Sequence, residues 1–373
     1  MSIYQQISTL VLRTGGVLVA YSLLFISLSS PFLLHGEVIA PYRQLIELGS
    51  SDIADIQHIE NRKFSDYVTA YIPAITEHFS GARSGWLTLW SNNNEMGRPV
   101  NHIAGLSPAY LPSWLIARFT PDPWRFITAL SLFTCFLSGI FLILFSREIG
   151  LSPLAGFIAG SIFATSPLFM YWLTFPMFPA VWTWAAGALW GIARLAKKAD
   201  LVSWAILAFS IYSLLMTAYP QPVVYHAYLL TGYGLYLAYC KRHSGWIVTG
   251  RFLALSASAL IAGIATALPV YIDLAHIAAE SARIAPDPSF FTVVLPEIAS
   301  LTEGLRFFVL GTMPELFGNP VRPDFPYPYD GLSITPLVVF FSIIALLVSY
   351  RQTWGWWLAI VLLFILAFVL LII

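Results

Sequence analysis

Residues 126–146 read FITALSLFTCFLSGIFLILFS and contain no charged side chain. Because an α-helix rises about 1.5 Å per residue, roughly 20 apolar residues cross the hydrocarbon core of a bilayer. Comparable apolar stretches along the chain predict an all-α, polytopic transmembrane helical bundle of about nine spans. We place these spans at 13–35, 126–146, 151–172, 180–196, 201–219, 222–240, 250–272, 333–350 and 354–373.

The composition of the whole chain also favours a membrane protein. Of the 373 residues, 58% are hydrophobic and 10% are charged, whereas a soluble domain carries about 25% charged residues. Most of the surface is therefore expected to face lipid. The formal net charge of +0 argues against a nucleic-acid partner. Cys135 and Cys240 lie inside apolar stretches and offer no metal-ligand spacing, so no metal site is assigned.

Basic residues mark one set of span ends and predict the orientation. They are Arg13, Arg147, Arg194, Lys197, Lys198, Lys241, Arg242, Arg251 and Arg351. The short loops at the opposite ends carry none, so the positive-inside rule places the N-terminus in the cytoplasm. The first apolar stretch is interpreted as a retained span, because it is long for a signal peptide and no clear cleavage pattern follows it.

Two long segments, 36–125 and 273–332, then lie outside the membrane and hold 17 of the 19 acidic residues. The predicted membrane interiors hold almost no ionisable group apart from His226, which argues against a proton- or ion-coupled transporter. We expect a seven-span core at 1–272 that includes the first outer loop. A second outer loop follows at 273–332, and two C-terminal spans follow at 333–373.

The first outer loop carries the best candidate for a catalytic group, Asp66. An amphipathic helix is predicted from Val68, Tyr71, Ile72, Ile75 and Phe79, with Ser65 as its N-cap and Pro73 delaying or kinking its start. If this helix lay in the outer interface with its apolar face in lipid, Asp66 would sit at the mouth of the bundle. A carboxylate beside lipid suits a general base, because the low dielectric raises its pKa.

Arg62 and Lys63 precede Asp66 and are candidate ligands for a lipid phosphate. The spacing also fits a simpler interpretation, in which Asp66 only starts a helix and the two basic residues anchor it at the interface. Further along, Trp90 and Asn93 lie in a turn-rich stretch with Gly97 and Pro99 that is suited to binding sugar hydroxyls. An ordinary surface loop explains this stretch as well.

Four groups of short motifs occur in order along the chain. They are Ser65-Asp66-Tyr67 with Pro73, Trp90 and Gly97-Arg98-Pro99; Tyr219-Pro220-Gln221-Pro222 with Tyr225; Leu268-Pro269 with Glu280-Ser281-Ala282-Arg283; and Tyr329-Asp330-Gly331-Leu332. Together with the topology, this pattern resembles the YfhO-like bacterial membrane proteins. These belong to the GT-C-type glycosyltransferases, which use polyprenyl-phosphate sugars.

The resemblance implies a set of site residues. Asp66 would be the catalytic acidic residue, and the substrate-binding residues would be Arg62, Lys63, Trp90, Asn93, Arg98, His102, Tyr219, Gln221 and Arg283. Many members have two adjacent acidic residues, whereas Tyr67 follows Asp66 here, so a divalent metal is possible but not assigned. Members are usually longer, and this sequence stops inside the apolar run Leu370–Ile373, so a truncated or short variant is expected.

The expected activity is glycosyl transfer on the outer face of the cytoplasmic (inner) membrane. The donor would be a polyprenyl-phosphate-linked sugar in the lipid bilayer, and the acceptor an envelope polymer or a glycolipid. Two alternatives stay open on the sequence alone: a non-enzymatic protein that binds or transports a polyprenyl lipid, and a membrane scaffold subunit.

Overall fold

The protein is mostly helical in the computed structural model, which describes residues 14–40, 67, 71–91, 97–99, 106–280, 306, 309–310, 312–313, 316, 318, 338–349 and 358. The helices of the first part are α1 (Thr14–Leu28), α2 (Ser30–His35), α3 (Ile72–Ser84), α4 (Leu111–Phe119), α5 (Pro123–Glu148), α6 (Pro153–Ala164) and α7 (Pro167–Tyr171). They continue with α8 (Met177–Lys197), α9 (Leu201–Leu215), α10 (Pro220–Lys241), a 3-10 turn (Arg242–Ser244) and α11 (Trp246–Glu280). Two short strands, β1 (Trp90–Ser91) and β2 (Arg98–Pro99), form an antiparallel hairpin.

The chain divides into two compact units. The first comprises 1–165 with 169–294, and the second comprises 166–168 with 295–373. Within the second unit an apolar helix, α12, runs over Val338–Ser349. The aromatic junction and both cavities described below lie within the first unit.

Three helical segments are both long and apolar enough to cross a membrane: Pro123–Glu148, Pro153–Tyr171, which comprises α6 and α7, and Trp246–His276. Shorter apolar helices occupy Thr14–Leu28, Leu201–Leu215 and Val338–Ser349. Helices therefore occur in eight of the predicted spans, whereas the full number of nine crossings stays a prediction. The ninth, 354–373, lies outside the described residues apart from Leu358.

Capping residues set where several of these helices begin. Asp122 Oδ1 accepts a hydrogen bond from the backbone N of Arg125 at 2.9 Å, and Asp200 Oδ1 accepts one from Ser203 N at 2.8 Å. Ser152 caps α6 in the same way, and a proline follows both Asp122 and Ser152. A side-chain oxygen before a first-turn proline satisfies the free N–H groups of a helix start. These residues therefore mark where α5, α6 and α9 begin.

Small residues bring the helices of the first unit close together. A Cβ on Gly160 of α6 would lie 2.7 Å from the backbone oxygen of Gly139 in α5, and a Cβ on Gly139 would lie 2.2 Å from the hydroxyl of Tyr21 in α1. A Cβ on Gly263 of α11 would lie 2.8 Å from the backbone oxygen of Ala208 in α9. Such close backbone approaches are typical of helices that associate in lipid.

The basic residues of the short connections gather at one end of the bundle, which we call the basic end. Glu148 lies 3.8 Å from Arg194 and 3.6 Å from Lys197, and Arg147 Nε donates to Thr14 Oγ1 at 3.1 Å. The charge pattern of the sequence therefore corresponds to one physical end of the helices. Its assignment to the cytoplasm stays a prediction.

Candidate functional site

An aromatic cluster lies at the opposite end of the bundle, and we call it the aromatic junction. Its members are Tyr67, Tyr71, Trp172, Phe175, Phe178 and Tyr219. The Phe175 ring meets Tyr67 edge to face with centroids 5.1 Å apart, and the Phe178 ring lies 4.7 Å from Tyr219. The cluster therefore joins the start of the first outer loop's helix to two hairpin turns of the bundle.

Tyr67 and Tyr71 bring polar groups into this cluster. Their side chains are 0% and 2% exposed, and neither hydroxyl has a hydrogen-bond partner in the part of the chain that the structure describes. Burial raises the pKa of both hydroxyls, so they stay protonated and able to donate. An unpaired buried hydroxyl costs about 1–3 kcal/mol, which ring packing must offset. The two hydroxyls are donors available to a polar group that enters the junction.

A second polar contact holds the outer-loop helices together. Ser113 Oγ of α4 donates to the backbone oxygen of Tyr110 at 2.6 Å and therefore accepts from Nε2 of His78 in α3 at 2.8 Å. Both side chains are buried, and burial lowers the pKa of His78 to about 4. This serine and histidine resemble a nucleophile–base pair, but the serine proton is already engaged. We assign the pair a structural role.

The segment 106–110 fixes the outer loop to the bundle. Ser107 N donates to the backbone oxygen of Met216 at 2.9 Å. Trp184 Nε1 of α8 donates to the Tyr110 hydroxyl at 2.7 Å, within the buried core. These bonds reach residues more than 70 positions away, so the segment 106–110 is part of the folded unit.

The β-hairpin places two predicted site residues on neighbouring strands. Trp90 pairs with Pro99, and Ser91 pairs with Arg98. Gly97 has φ +108°, and a Cβ there would lie 3.1 Å from the Trp90 indole, which is 55% exposed. Glycine is therefore required both for the turn and for the close approach of the ring. The left-handed backbone of Gly97 fits the predicted turn-rich stretch, whereas Asn93 lies outside the described residues and sugar binding stays a prediction.

Most of the other predicted site residues lie outside the described residues. These are Asp66, Arg62, Lys63, Asn93, His102 and Arg283. Tyr219 joins the aromatic junction through Phe178. Gln221 lies exposed in the first turn of α10, where its Nε2 donates to the Tyr225 hydroxyl at 3.1 Å.

Among the described residues, no group of three His, Cys, Asp or Glu side chains is arranged to hold a metal ion.

One expectation about the outer loop is wrong. The α-helix begins at Ile72 with Pro73 in its first turn, which fits the predicted delay of its start. Its apolar face, however, does not lie in lipid: Ile75 and Phe79 are buried, and the helix packs on α4 and α5. The sequence shows an amphipathic face but not what covers it, and here the segment at 106–119 supplies the cover.

Sequence reasoning also missed the aromatic residues that complete the junction. Trp172, Phe175 and Phe178 follow one another at intervals of three around the turn between α7 and α8. Trp172 stacks on Phe178 with centroids 4.2 Å apart. This spacing was the available signal, but aromatic residues at a span end are typical of any membrane interface.

An apolar cavity of about 350 Å³ lies among α8, α9, α10 and α11. Its walls include Leu214, Val223, Leu230, Gly234, Phe252 and Leu260. Leu214 and Val223 flank the turn that carries Tyr219, so the cavity starts close to the aromatic junction and runs toward the basic end. Leu235 and Ile264 also line it and are half-exposed, which places part of its wall on the outer surface of the helices. This lining suits a hydrocarbon chain.

Comparison with known proteins returns no match, whether with family models, curated proteins or solved structures. The resemblance drawn from the short motifs therefore stays a hypothesis.

Proposed function

We propose that the chain is a membrane glycosyltransferase that moves a sugar from a polyprenyl-phosphate donor to an envelope acceptor at the outer face of the cytoplasmic membrane. The observation that supports it best is the position of Tyr67. This residue directly follows Asp66 and is fully buried in the aromatic junction, beside Phe175. Asp66 itself lies outside the described residues; we propose that its carboxylate acts beside the turn that Tyr67 contacts.

The apolar cavity supplies the second element that such a reaction needs. A polyprenyl donor carries a long hydrocarbon chain, and the cavity among α8, α9, α10 and α11 has an uncharged, mainly apolar lining that suits part of such a chain. Because Leu214 and Val223 border the turn at Tyr219, a chain lying in the cavity would present its phosphate near the aromatic junction. The apolar cavity would then hold the polyprenyl chain, and the residues around the aromatic junction would hold the phosphate and the sugar.

In the proposed reaction Asp66 takes the proton from the acceptor hydroxyl, and the acceptor oxygen attacks the anomeric carbon of the sugar. The bond from that carbon to the phosphate oxygen breaks, and polyprenyl phosphate leaves. Arg283 or Arg62 stabilises the charge that develops on the phosphate. Lys63, Trp90, Asn93, Arg98, His102, Tyr219 and Gln221 are proposed to bind the sugar and the phosphate.

The deciding experiment measures transfer by the purified chain in lipid nanodiscs, with a radiolabelled polyprenyl-phosphate hexose and candidate envelope glycolipids. Asp66→Asn is expected to lower the rate by about 10²–10⁴-fold, since general-base catalysis contributes that much, and to leave donor binding intact. Asp55→Asn changes a carboxylate in the same loop and serves as the matched control. Full transfer activity in Asp66→Asn would overturn the assignment of the base.

The apolar cavity also favours a second function, a protein that binds or moves a polyprenyl lipid without chemistry. Such a protein would bind the lipid-linked sugar with an affinity unchanged by Asp66→Asn and would release no sugar from it. Measuring binding and transfer on the same preparation separates the two functions.

A further inference from the structure

A second cavity, of about 480 Å³, lies at the basic end where the turn between α8 and α9 meets α11. Its walls are formed by Ala199, Asp200, Leu201, Trp204, Arg251, Leu255 and Ser258. It is far along the helices from the aromatic junction, and the proposed glycosyl transfer does not use it. Its lining combines one cation, one carboxylate, one hydroxyl group, one indole ring and two leucine side chains.

Arg251 supplies the charge of this cavity. One of its nitrogens, Nη2, donates to the backbone oxygen of Ala199 at 3.1 Å, which holds the guanidinium against the turn. Arg251 makes no ion pair with any residue that the structure describes. Lys198, the residue before Ala199, is exposed; it forms no ion pair there, although its charge helps to lower the pKa of Asp200. A guanidinium has five N–H donors, so most of them remain available to an anion.

The one carboxylate in the lining is already engaged. Asp200 Oδ1 accepts from Ser203 N at 2.8 Å and caps α9. Hydrogen bonding from Ser203 lowers the pKa of Asp200, so the group stays ionised and bound to the helix start. Across the basic end of the first unit, residues 147–251 hold seven Lys and Arg and only two acidic residues, Glu148 and Asp200. The local field therefore favours an anion.

Exposed apolar side chains occur in the cavity wall and on the helix that carries Arg251. Leu201 of the wall is 77% exposed, and Trp246 and Ile247 at the start of α11 are 87% and 83% exposed. Within the cavity, Trp204 Nε1 donates to Ser258 Oγ at 3.0 Å, which fixes the indole beside Arg251 and Leu255. A tryptophan at the level of cationic side chains with exposed aliphatic residues around it is typical of a membrane interface. A free inorganic anion would not use these apolar groups.

We infer that this cavity binds the headgroup of an anionic phospholipid from the bilayer leaflet at the basic end. Its phosphate lies between Arg251 and Lys198, and its acyl chains run along Leu201 and Leu255. Charge-assisted hydrogen bonds from the guanidinium to phosphate oxygens supply the specificity for an anion. Basic pockets between transmembrane helices on the cytoplasmic side suit such headgroups.

The test measures the apparent unfolding temperature of the full chain in detergent during titration with phosphatidylglycerol, phosphatidylcholine or inorganic phosphate. Phosphatidylglycerol is expected to raise this temperature at concentrations where the other two have little effect. Each basic residue near a headgroup contributes about a fivefold gain in lipid affinity. Arg251→Gln with Lys198→Gln should therefore weaken binding by roughly thirtyfold, whereas the matched pair Arg242→Gln with Lys241→Gln should bind as the wild type does.

Three results would overturn the proposal: equal affinity of the Arg251→Gln/Lys198→Gln variant and the wild type, equal protection by inorganic phosphate, or equal protection by phosphatidylcholine. The second would identify a free-anion site, and the third would show that only acyl chains bind. If the double variant does not fold, each single variant still tests the expected fivefold loss. Photo-crosslinking of a diazirine-labelled phosphatidylglycerol to α11 near Leu255 reports the same site without a substitution.

Discussion

The rings of Tyr67 and Phe175 meet edge to face with their centroids 5.1 Å apart, although the two residues are 108 positions apart in the sequence. Tyr71 packs on the same phenylalanine at 5.4 Å. Aromatic pairs of this geometry contribute about 0.5–1.5 kcal/mol beyond the area that they bury. The contact holds Tyr67, within the first outer loop, at the turn between α7 and α8.

Two substitutions of Tyr67 distinguish the stability that its ring contributes by packing from the stability that its unpaired hydroxyl costs. Tyr67→Phe keeps the ring and removes a buried hydroxyl that has no partner among the described residues, so it should raise the free energy of unfolding by about 1 kcal/mol. Tyr67→Ala leaves a cavity and should lower it by about 3–5 kcal/mol. Chemical unfolding in detergent micelles measures both. If Tyr67→Phe is instead clearly destabilised, the hydroxyl has a partner in the folded protein.

His78 should make stability depend on pH. Its pKa in the folded protein is about 4, below the ordinary value of 6.5, because the ring is buried. Between these values the unfolded chain binds a proton that the folded chain does not. Stability should therefore be fully present above pH 6.5 and fall toward pH 4, by ~1.4 kcal/mol for each pH unit.

His78→Gln provides the comparison for this prediction. The glutamine does not titrate, so the variant should be less stable at pH 7.5 but should lose less stability between pH 6.5 and 4. Thermal unfolding of both proteins across this range gives the difference. Parallel pH curves for the wild type and the variant would contradict the burial of a neutral histidine at Ser113.

Gly263 tests the close approach of α11 to α9. A Cβ at this position would lie 2.8 Å from the backbone oxygen of Ala208, so Gly263→Ala should cost about 1–3 kcal/mol. Gly250 lies in the same helix, and a Cβ there would meet nothing within 4 Å, so Gly250→Ala should be neutral or slightly stabilising. Apparent unfolding temperatures in detergent rank the two variants, and equal values would argue against the close packing at Ala208.

Two glycines of α10 test the apolar cavity. Gly234 lines it and Gly232 does not, yet a Cβ at either position meets nothing within 4 Å. Gly234→Leu should fill part of the cavity and weaken binding of a polyprenyl phosphate by about tenfold, an overpacking cost near the low end of 1–3 kcal/mol. Gly232→Leu should bind normally. Competition with a fluorescent polyprenyl phosphate in nanodiscs measures both, and equal affinities would remove the cavity from the proposal.

The sequence predicted which segments are helical and roughly where each helix begins and ends. The predicted spans at 180–196 and 222–240 fall within α8 (Met177–Lys197) and α10 (Pro220–Lys241). Apolar length and flanking polar or proline residues act locally, so a short window contains most of the information. The break at Thr165 and Ser166, which divides the predicted span 151–172 into α6 and α7, was not predicted because both sides are equally apolar.

Only part of the candidate site could be predicted from the sequence. Tyr219 was predicted to bind substrate, which stays a prediction, and the structure packs its ring against Phe178 in the aromatic junction. Phe175, the ring on which Tyr67 and Tyr71 pack, was not predicted as part of the site. The amphipathic pattern of α3 was correct, but its partner was not lipid. A periodic apolar face has the same sequence whether lipid or protein covers it.

By itself, the sequence determined that the chain is helical, where its long apolar helices lie, and that the basic residues outside its two long loops fall at alternate helix ends. These properties depend on neighbours within one or two helical turns. Only the tertiary structure decided that Tyr67 meets Phe175, that α3 is buried, and that an apolar cavity opens among α8 to α11. Such contacts join residues that are far apart in the chain. Their energy depends on how closely the side chains pack and how well their shapes fit, and a local sequence pattern contains neither.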